Sequence, residues 1–221
     1  MSSAEHRAEL FATVLMALSS ILTAWATFQS AKWSGLQAKA YDDAEAARVS
    51  AARLSGRADQ LATLDANLFL AWSRAVESEE GAQEVARRGY RPAPASLAQF
   101  LSARFRPEFR VAFEAWLSTN PFTNPDAPRS PFEMPEYRRK DEEEAARQTR
   151  MGEERVAAAR SFNLRSDRYV ATAVVFSMVL FFAGVGPKLE GRLARGLMLG
   201  LSVLFLVGGA SILATFPVAL D

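Results

Sequence analysis

Three long runs without a charged side chain, at the two ends of the chain, restrict what this sequence can fold into. They cover residues 10–31, 169–187 and 196–220. A helix of about 20 apolar residues spans the roughly 30 Å hydrocarbon core of a bilayer. Within that core only helices and closed barrels satisfy their own backbone groups. We therefore predict an all-α integral membrane protein with three transmembrane helices.

The segment between the first two runs, residues 32–168, has the opposite character. It holds nearly all of the Asp, Glu, Lys and Arg residues of the chain, in almost equal numbers of acids and bases. We expect this segment to be an extramembrane helical bundle, inserted between spans one and two. Nucleic acid is not an expected partner, because its recognition needs a net basic surface.

The short turn 188–195 between the second and third spans predicts the orientation. It holds three basic residues, and the positive-inside rule places such turns in the cytoplasm. The amino-terminal tail 1–9 is then cytoplasmic, and the domain 32–168 is extracytoplasmic. Basic residues on the domain side of the membrane favour the reverse orientation, which stays open; they are Lys32, Lys39, Arg160, Arg165 and Arg168.

Proline divides the domain into helices and loops. Eight of the ten prolines lie between Pro92 and Pro135, and long stretches on either side contain none. Because proline is excluded from helix interiors, long helices are predicted before and after this region. The second of them is expected to run from about Tyr137 without a stop into the second span. Residues 119–136 are predicted to form a proline-rich cap.

The first long helix is expected to carry a packing seam. Leu54, Leu61 and Leu68 repeat every seven residues, the spacing of helices packed side by side. Gly56 and Gly81 are predicted breaks, and we expect the helix to turn back at one of them.

A further helix is predicted over residues 94–118, with one aromatic face. We expect the cap 119–136 to pack on this face. The same four side chains are candidates for a partner-binding surface: Phe105, Phe109, Phe113 and Trp116.

Small residues at helix-packing spacing mark faces where helices can approach closely. Packing within the chain and association between copies both explain them, and we expect a homo-oligomer. The candidates are Gly196, Gly200 and Gly208 in the third span, and Ser19, Thr23 and Thr27 in the first.

The sequence lacks the parts of most catalytic and metal sites. His6 is its one histidine, and it contains no cysteine. A histidine-based triad, a zinc site with Cys or His ligands and a haem site therefore have no evident ligands. We predict no catalytic, metal or cofactor-binding residue and no cofactor.

Three blocks together resemble a group of uncharacterised bacterial membrane proteins. They are TAWATFQSAKWSGLQA at 23–38, RFRPEFR at 104–110 and DRYVAT at 167–172. The resemblance implies one amino-terminal and two carboxyl-terminal spans, and a location in the bacterial inner membrane. It implies no activity and no functional residues.

Our leading hypothesis is a non-enzymatic, self-associating membrane protein with a structural or partner-binding helical domain. One alternative is an oligomeric channel lined by polar residues such as Thr23 and Thr27. A second alternative is a membrane enzyme that uses only carboxylates, Arg or Tyr and acts, for instance, on lipid. A cavity in which Asp42, Asp43 or Asp167 meet across helices would favour it.

Overall fold

The computed structural model of the chain describes residues 3–90 and 93–219. All regular secondary structure in this part is helical, which confirms the predicted all-α class. The α-helices are α1 (Ser3–Glu80), α2 (Ala82–Arg88), α3 (Leu97–Ser102), α4 (Pro107–Ser118), α5 (Lys140–Val185) and α6 (Arg192–Leu213). Single turns of 3-10 helix lie at Pro131–Glu133 and Gly186–Lys188.

Three of these helices, α1, α5 and α6, are long and apolar enough to cross a membrane. Helix α5 also runs without a break from its polar beginning into its apolar end, as predicted. The absence of proline between residues 136 and 186 permits this continuity, because nothing interrupts the backbone hydrogen bonds of the helix.

Helix α1 passes through Gly56 without interruption, so the break predicted there is wrong. A single glycine costs a helix only about 1 kcal/mol relative to alanine, and good helix formers flank it on both sides. The break predicted at Gly81 is confirmed, because α1 ends at Glu80 and Gly81 has a φ of 76°. A positive φ is readily adopted only by glycine.

The helix predicted over residues 94–118 is two helices, α3 and α4, separated by residues 103–106. Pro107 causes the division, since a residue before proline is forced out of helical conformation. Arg106 accordingly has an extended ψ of 146°, and Pro107 occupies the first turn of α4. This local backbone geometry sets the direction in which the Arg106 side chain leaves the chain.

Helix α6 ends at Leu213, short of the predicted end of the third span at residue 220. The following residues leave the helix before Pro217, whose ring disfavours helical conformation in its predecessor. The segment 214–219 therefore forms a short non-helical carboxyl-terminal arm.

The chain divides into two compact units. Unit 1 comprises residues 1–46 and 151–221, and unit 2 comprises residues 47–150. Helices α1 and α5 each contribute residues to both units.

Unit 2 has an aromatic core. The rings of Trp72 and Phe113 meet edge to face with centroids 4.8 Å apart. The proline-rich cap closes over this core, as predicted: Phe132 stacks on Phe109 at 5.1 Å, and the Trp116 indole N–H donates to the Pro128 carbonyl at 2.8 Å. Edge-to-face pairs add to the stabilisation that burial of the rings provides.

Candidate functional site

The buried stripe of α1 in unit 2 repeats every seven residues and contains one charge. Its members are Ala51, Ala58, Asp65 and Trp72, of which Asp65 and Trp72 are almost completely enclosed. The seam predicted from the leucine spacing is therefore present, but its most buried positions lie three residues before each leucine. A carboxylate at such a position must be neutralised or paired.

Two side chains satisfy the Asp65 carboxylate. The Arg106 guanidinium binds it in a fork: Nε donates to Oδ1 at 2.9 Å, and Nη2 donates to Oδ2 at 2.5 Å. The Tyr137 hydroxyl donates to Oδ2 at 3.2 Å. Bidentate, charge-assisted hydrogen bonds of this kind are stronger than neutral ones and fix the direction of approach. The three residues form what we call the Asp65 cluster.

The Asp65 cluster joins three segments of unit 2 that are far apart in sequence. Asp65 belongs to α1, Arg106 immediately precedes α4, and Tyr137 lies between the cap and α5. Arg106 reaches the carboxylate because Pro107 holds its backbone extended. One buried charge therefore sets the positions of α1, α4 and the cap relative to one another.

The surroundings of the cluster shift two pKa values. The hydrogen bond to the Asp65 carboxylate raises the pKa of Arg106 above its ordinary value. Burial, reinforced by the charge of Asp65, raises the pKa of the Tyr137 hydroxyl to about 12. Tyr137 is therefore protonated at neutral pH and donates its hydrogen bond to Asp65.

A cleft of about 320 Å³ lies beside the cluster within unit 2. Most of the charged residues that line the cleft are basic, but its arginines form ion pairs with carboxylates. Arg57 lies 3.2 Å from Asp141, and Arg139 lies 2.7 Å from Asp59. Exposed pairs of this type contribute little to stability. All four arginines of the cleft therefore have carboxylate partners.

The four aromatic residues considered for a partner surface lie inside the core of unit 2 instead. None of them has more than 4% of its surface exposed. The physical reason is area: these rings bury more apolar surface against α1 and the cap than they would on an open face. All four belong to one aromatic cluster: Phe105, Phe109, Phe113 and Trp116.

The three glycines of α6 that were considered for packing do not contact another helix of the chain. A Cβ added at Gly196, Gly200 or Gly208 would meet no atom within 4 Å. The close approach occurs at Gly209, where an added Cβ would lie 2.9 Å from Cε1 of Phe176. Sequence analysis missed Gly209 because the four-residue spacing drew attention to its neighbour.

The polar residues considered in the first span form hydrogen bonds within unit 1. Ser19 is buried, and its hydroxyl donates to the Phe176 carbonyl of α5 at 2.7 Å. The hydroxyls of Thr23 and Thr27 donate to carbonyls one turn earlier on α1. Ser19 thus joins two helices, whereas the threonine contacts do not favour a pore. The channel alternative stays a prediction.

Sequence analysis did not identify the other polar contacts of unit 1. The Ser166 hydroxyl lies 2.9 Å from the hydroxyls of both Ser30 and Ser34. Gln29 is buried, and its side-chain oxygen accepts the backbone N–H of Ala219 at 2.9 Å. The four-residue spacing of Ser30 and Ser34 was a signal for a helix–helix contact.

Two of the carboxylates considered for a membrane enzyme, Asp43 and Asp167, have partners of their own. Asp43 pairs with Arg155 at 3.6 Å, and Asp167 accepts a hydrogen bond from Asn163 at 3.0 Å. In the described ranges 3–90 and 93–219, no group of three or more acidic or histidine side chains is arranged to hold a metal ion.

Comparisons of the chain with protein-family models, with curated proteins and with solved structures found no match. The class that the fold defines is an all-helical chain with three helices able to cross a membrane. The Asp65 cluster joins α1, the residue before α4 and the segment before α5 through hydrogen bonds to one buried carboxylate.

Replacing Arg106 by glutamine should destabilise unit 2 strongly, because it leaves the Asp65 carboxylate buried without a cation. We expect a loss of about 3 kcal/mol in the free energy of unfolding, the lower end for a broken buried pair. The measurement is chemical denaturation of the full chain in detergent, followed by tryptophan fluorescence. Arg147→Gln, which removes an exposed arginine of α5, is the matched control and should leave the midpoint unchanged. Equal midpoints for the two variants would contradict the role of the cluster.

The pKa of Tyr137 predicts a stability change at alkaline pH. The folded chain holds the phenolic proton more tightly than the unfolded chain, in which the pKa is near 10. The free energy of unfolding should therefore fall as pH rises from about 10 to about 12. Tyr137→Phe should make this decline shallower, although a part remains because burial also raises the pKa of Tyr90. A decline as steep in Tyr137→Phe as in the wild type would exclude Tyr137 as its source.

Proposed function

We propose that the protein is a non-enzymatic, self-associating membrane protein whose helical domain serves as a structural or partner-binding module. In this proposal α1, α5 and α6 cross the bacterial inner membrane, and the domain 32–168 lies outside it on the extracytoplasmic side. The amino terminus and the turn 188–195 are cytoplasmic.

The observation that carries the proposal is the division of α6 into two unlike faces. One face packs on α5 through Gly209, which lies against Phe176, and Ser202 of α6 is also buried. The other face is apolar and uncovered: Leu197 is 63% exposed and Leu204 is 65% exposed. Gly196 and Gly200 lie on the uncovered face, with open space where a side chain would be.

An uncovered face that contains a G-x-x-x-G pair favours close approach of another helix. The same face of a second copy is the natural partner, because a two-fold dimer brings identical patches together. Lipid acyl chains would cover the leucines equally well. Glycines, however, favour the close approach of a second helix and give no advantage to flexible acyl chains. We therefore propose a dimer through α6, formed in the plane of the membrane.

The role of the domain follows from what its polar groups do. The groups of the Asp65 cluster are bonded to one another, and the arginines of the adjacent cleft are paired with carboxylates. These features support a domain that presents a fixed shape, and they give no support to a chemical reaction. The lipid-enzyme alternative lacks an observation in its favour.

Substitution of Gly200 tests the dimer. Gly200→Ile puts a branched side chain on the proposed contact and should shift the chain from dimer to monomer, whereas Gly200→Ala keeps the residue small and should leave the dimer intact. The measurement is light scattering of the purified chain in detergent, with photobleaching steps counted in nanodiscs. Dimers in both variants would exclude this face, and monomeric wild-type chain would exclude self-association.

The topology can be tested directly, because the chain has no cysteine of its own. Glu114→Cys places a thiol in the domain, and Glu190→Cys places one in the turn between α5 and α6. We expect a membrane-impermeant maleimide to label the first in intact spheroplasts and the second only after lysis. The reverse pattern would establish a cytoplasmic domain, and labelling of both in intact spheroplasts would contradict membrane insertion of the carboxyl-terminal helices.

A further inference from the structure

An apolar groove of about 370 Å³ lies on unit 1, beside the end of the first uncharged run. Its lining has a single charged residue, Lys32. The other lining residues are Phe28, Ala31, Gly35 and Leu36 of α1, and Ala219 of the carboxyl-terminal arm. A groove of this size is within the range of small-molecule sites, which are mostly apolar with a few polar groups that fix orientation.

The wall formed by the carboxyl-terminal arm is held in place by polar contacts. The backbone N–H of Ala219 donates to the buried side chain of Gln29, and the Tyr169 hydroxyl donates to the Pro217 carbonyl at 3.1 Å. The Phe216 ring packs edge to face on Tyr169 at 5.3 Å. These contacts fix the arm against both α1 and α5, so the groove is a permanent feature of unit 1.

The floor of the groove is open because residue 35 is glycine. A Cβ added at Gly35 would meet no atom within 4 Å. The groove is therefore unobstructed beside Lys32.

The charge at the groove is a cation. The Lys32 ammonium lies 5.9 Å from the centroid of the Phe28 ring. In the part of the chain that the structure describes, it forms no ion pair with a carboxylate. Nearby on unit 1, the Arg165 guanidinium lies over the Trp33 ring at 4.6 Å. Tryptophans and basic residues together are typical of the headgroup layer of a bilayer.

We propose that this groove binds an anionic phospholipid, with the phosphate beside Lys32 and one acyl chain running past Phe28 along the first uncharged run of α1. The apolar lining suits an acyl chain, and the lone ammonium suits a phosphate at headgroup depth. The inference rests on the proposed membrane insertion of unit 1. It adds one site that selects an anionic headgroup, formed jointly by α1 and the carboxyl-terminal arm. The rest of the apolar surface would contact any lipid.

Native mass spectrometry of the full chain in detergent tests the site. The probes are phosphatidylglycerol and phosphatidylcholine with identical acyl chains. The wild type should retain phosphatidylglycerol preferentially. Lys32→Gln should lower its binding about fivefold, since one basic residue near an anionic headgroup is worth about that factor. Lys39→Gln, which removes the same charge two turns further along α1, should leave binding unchanged.

A second variant tests the apolar part of the site. Gly35→Leu should weaken retention of both lipids, because it narrows the groove beside Lys32. The fold should tolerate the change, since the position is open and leucine favours helix more than glycine. Its melting temperature should therefore be at least that of the wild type.

The inference and the proposed function fail in different ways. Failure of the chain to float with liposomes would contradict membrane insertion and hence the proposed function. A chain that floats, but binds the two lipids equally or loses equal affinity in Lys32→Gln and Lys39→Gln, would overturn the lipid site alone.

Discussion

The arrangement of unit 2 depends on one buried carboxylate. Asp65 occupies a position of the helix seam that neighbouring repeats fill with alanine or tryptophan. Such a charge is tolerated only where a cation and further donors meet it with good geometry. Arg106 and Tyr137 supply these donors from two other segments, so the ion pair and the aromatic core specify the same arrangement of helices. A single polar residue at a seam position is a known means of fixing helix register.

Unit 1 uses the same principle with neutral groups. Between apolar helices in a membrane, burial supplies little preference for one register over another, because lipid is as apolar as the helix surface. Hydrogen bonds and close glycine contacts then decide how the helices meet. Ser19, Ser166 and Gln29 supply such bonds, and Gly209 lets α6 approach the Phe176 ring. This packing leaves two apolar surfaces uncovered, the outer face of α6 and the groove beside Lys32.

The sequence predicted the features that follow from local rules. The uncharged runs indicated three helices able to cross a membrane, and the glycine before α2 marked the end of α1. The same rules failed at Gly56, because one glycine does not outweigh a long stretch of good helix formers. They also could not identify Asp65 as buried, since its partners Arg106 and Tyr137 are 41 and 72 residues away. The available signal for a buried position at Asp65 was the seven-residue spacing of Ala51, Ala58 and Asp65. It lay beside the more conspicuous leucines.

A double-mutant cycle measures the interaction free energy between Asp65 and Arg106, and so whether the two residues act as a unit. Asp65→Asn, Arg106→Gln and the double variant would be compared by chemical denaturation of the full chain in detergent. If the pair is coupled as described, the two losses are strongly non-additive, with an interaction energy above about 1.5 kcal/mol. Losses that add to within about 0.5 kcal/mol, the behaviour of independent sites, would contradict the account.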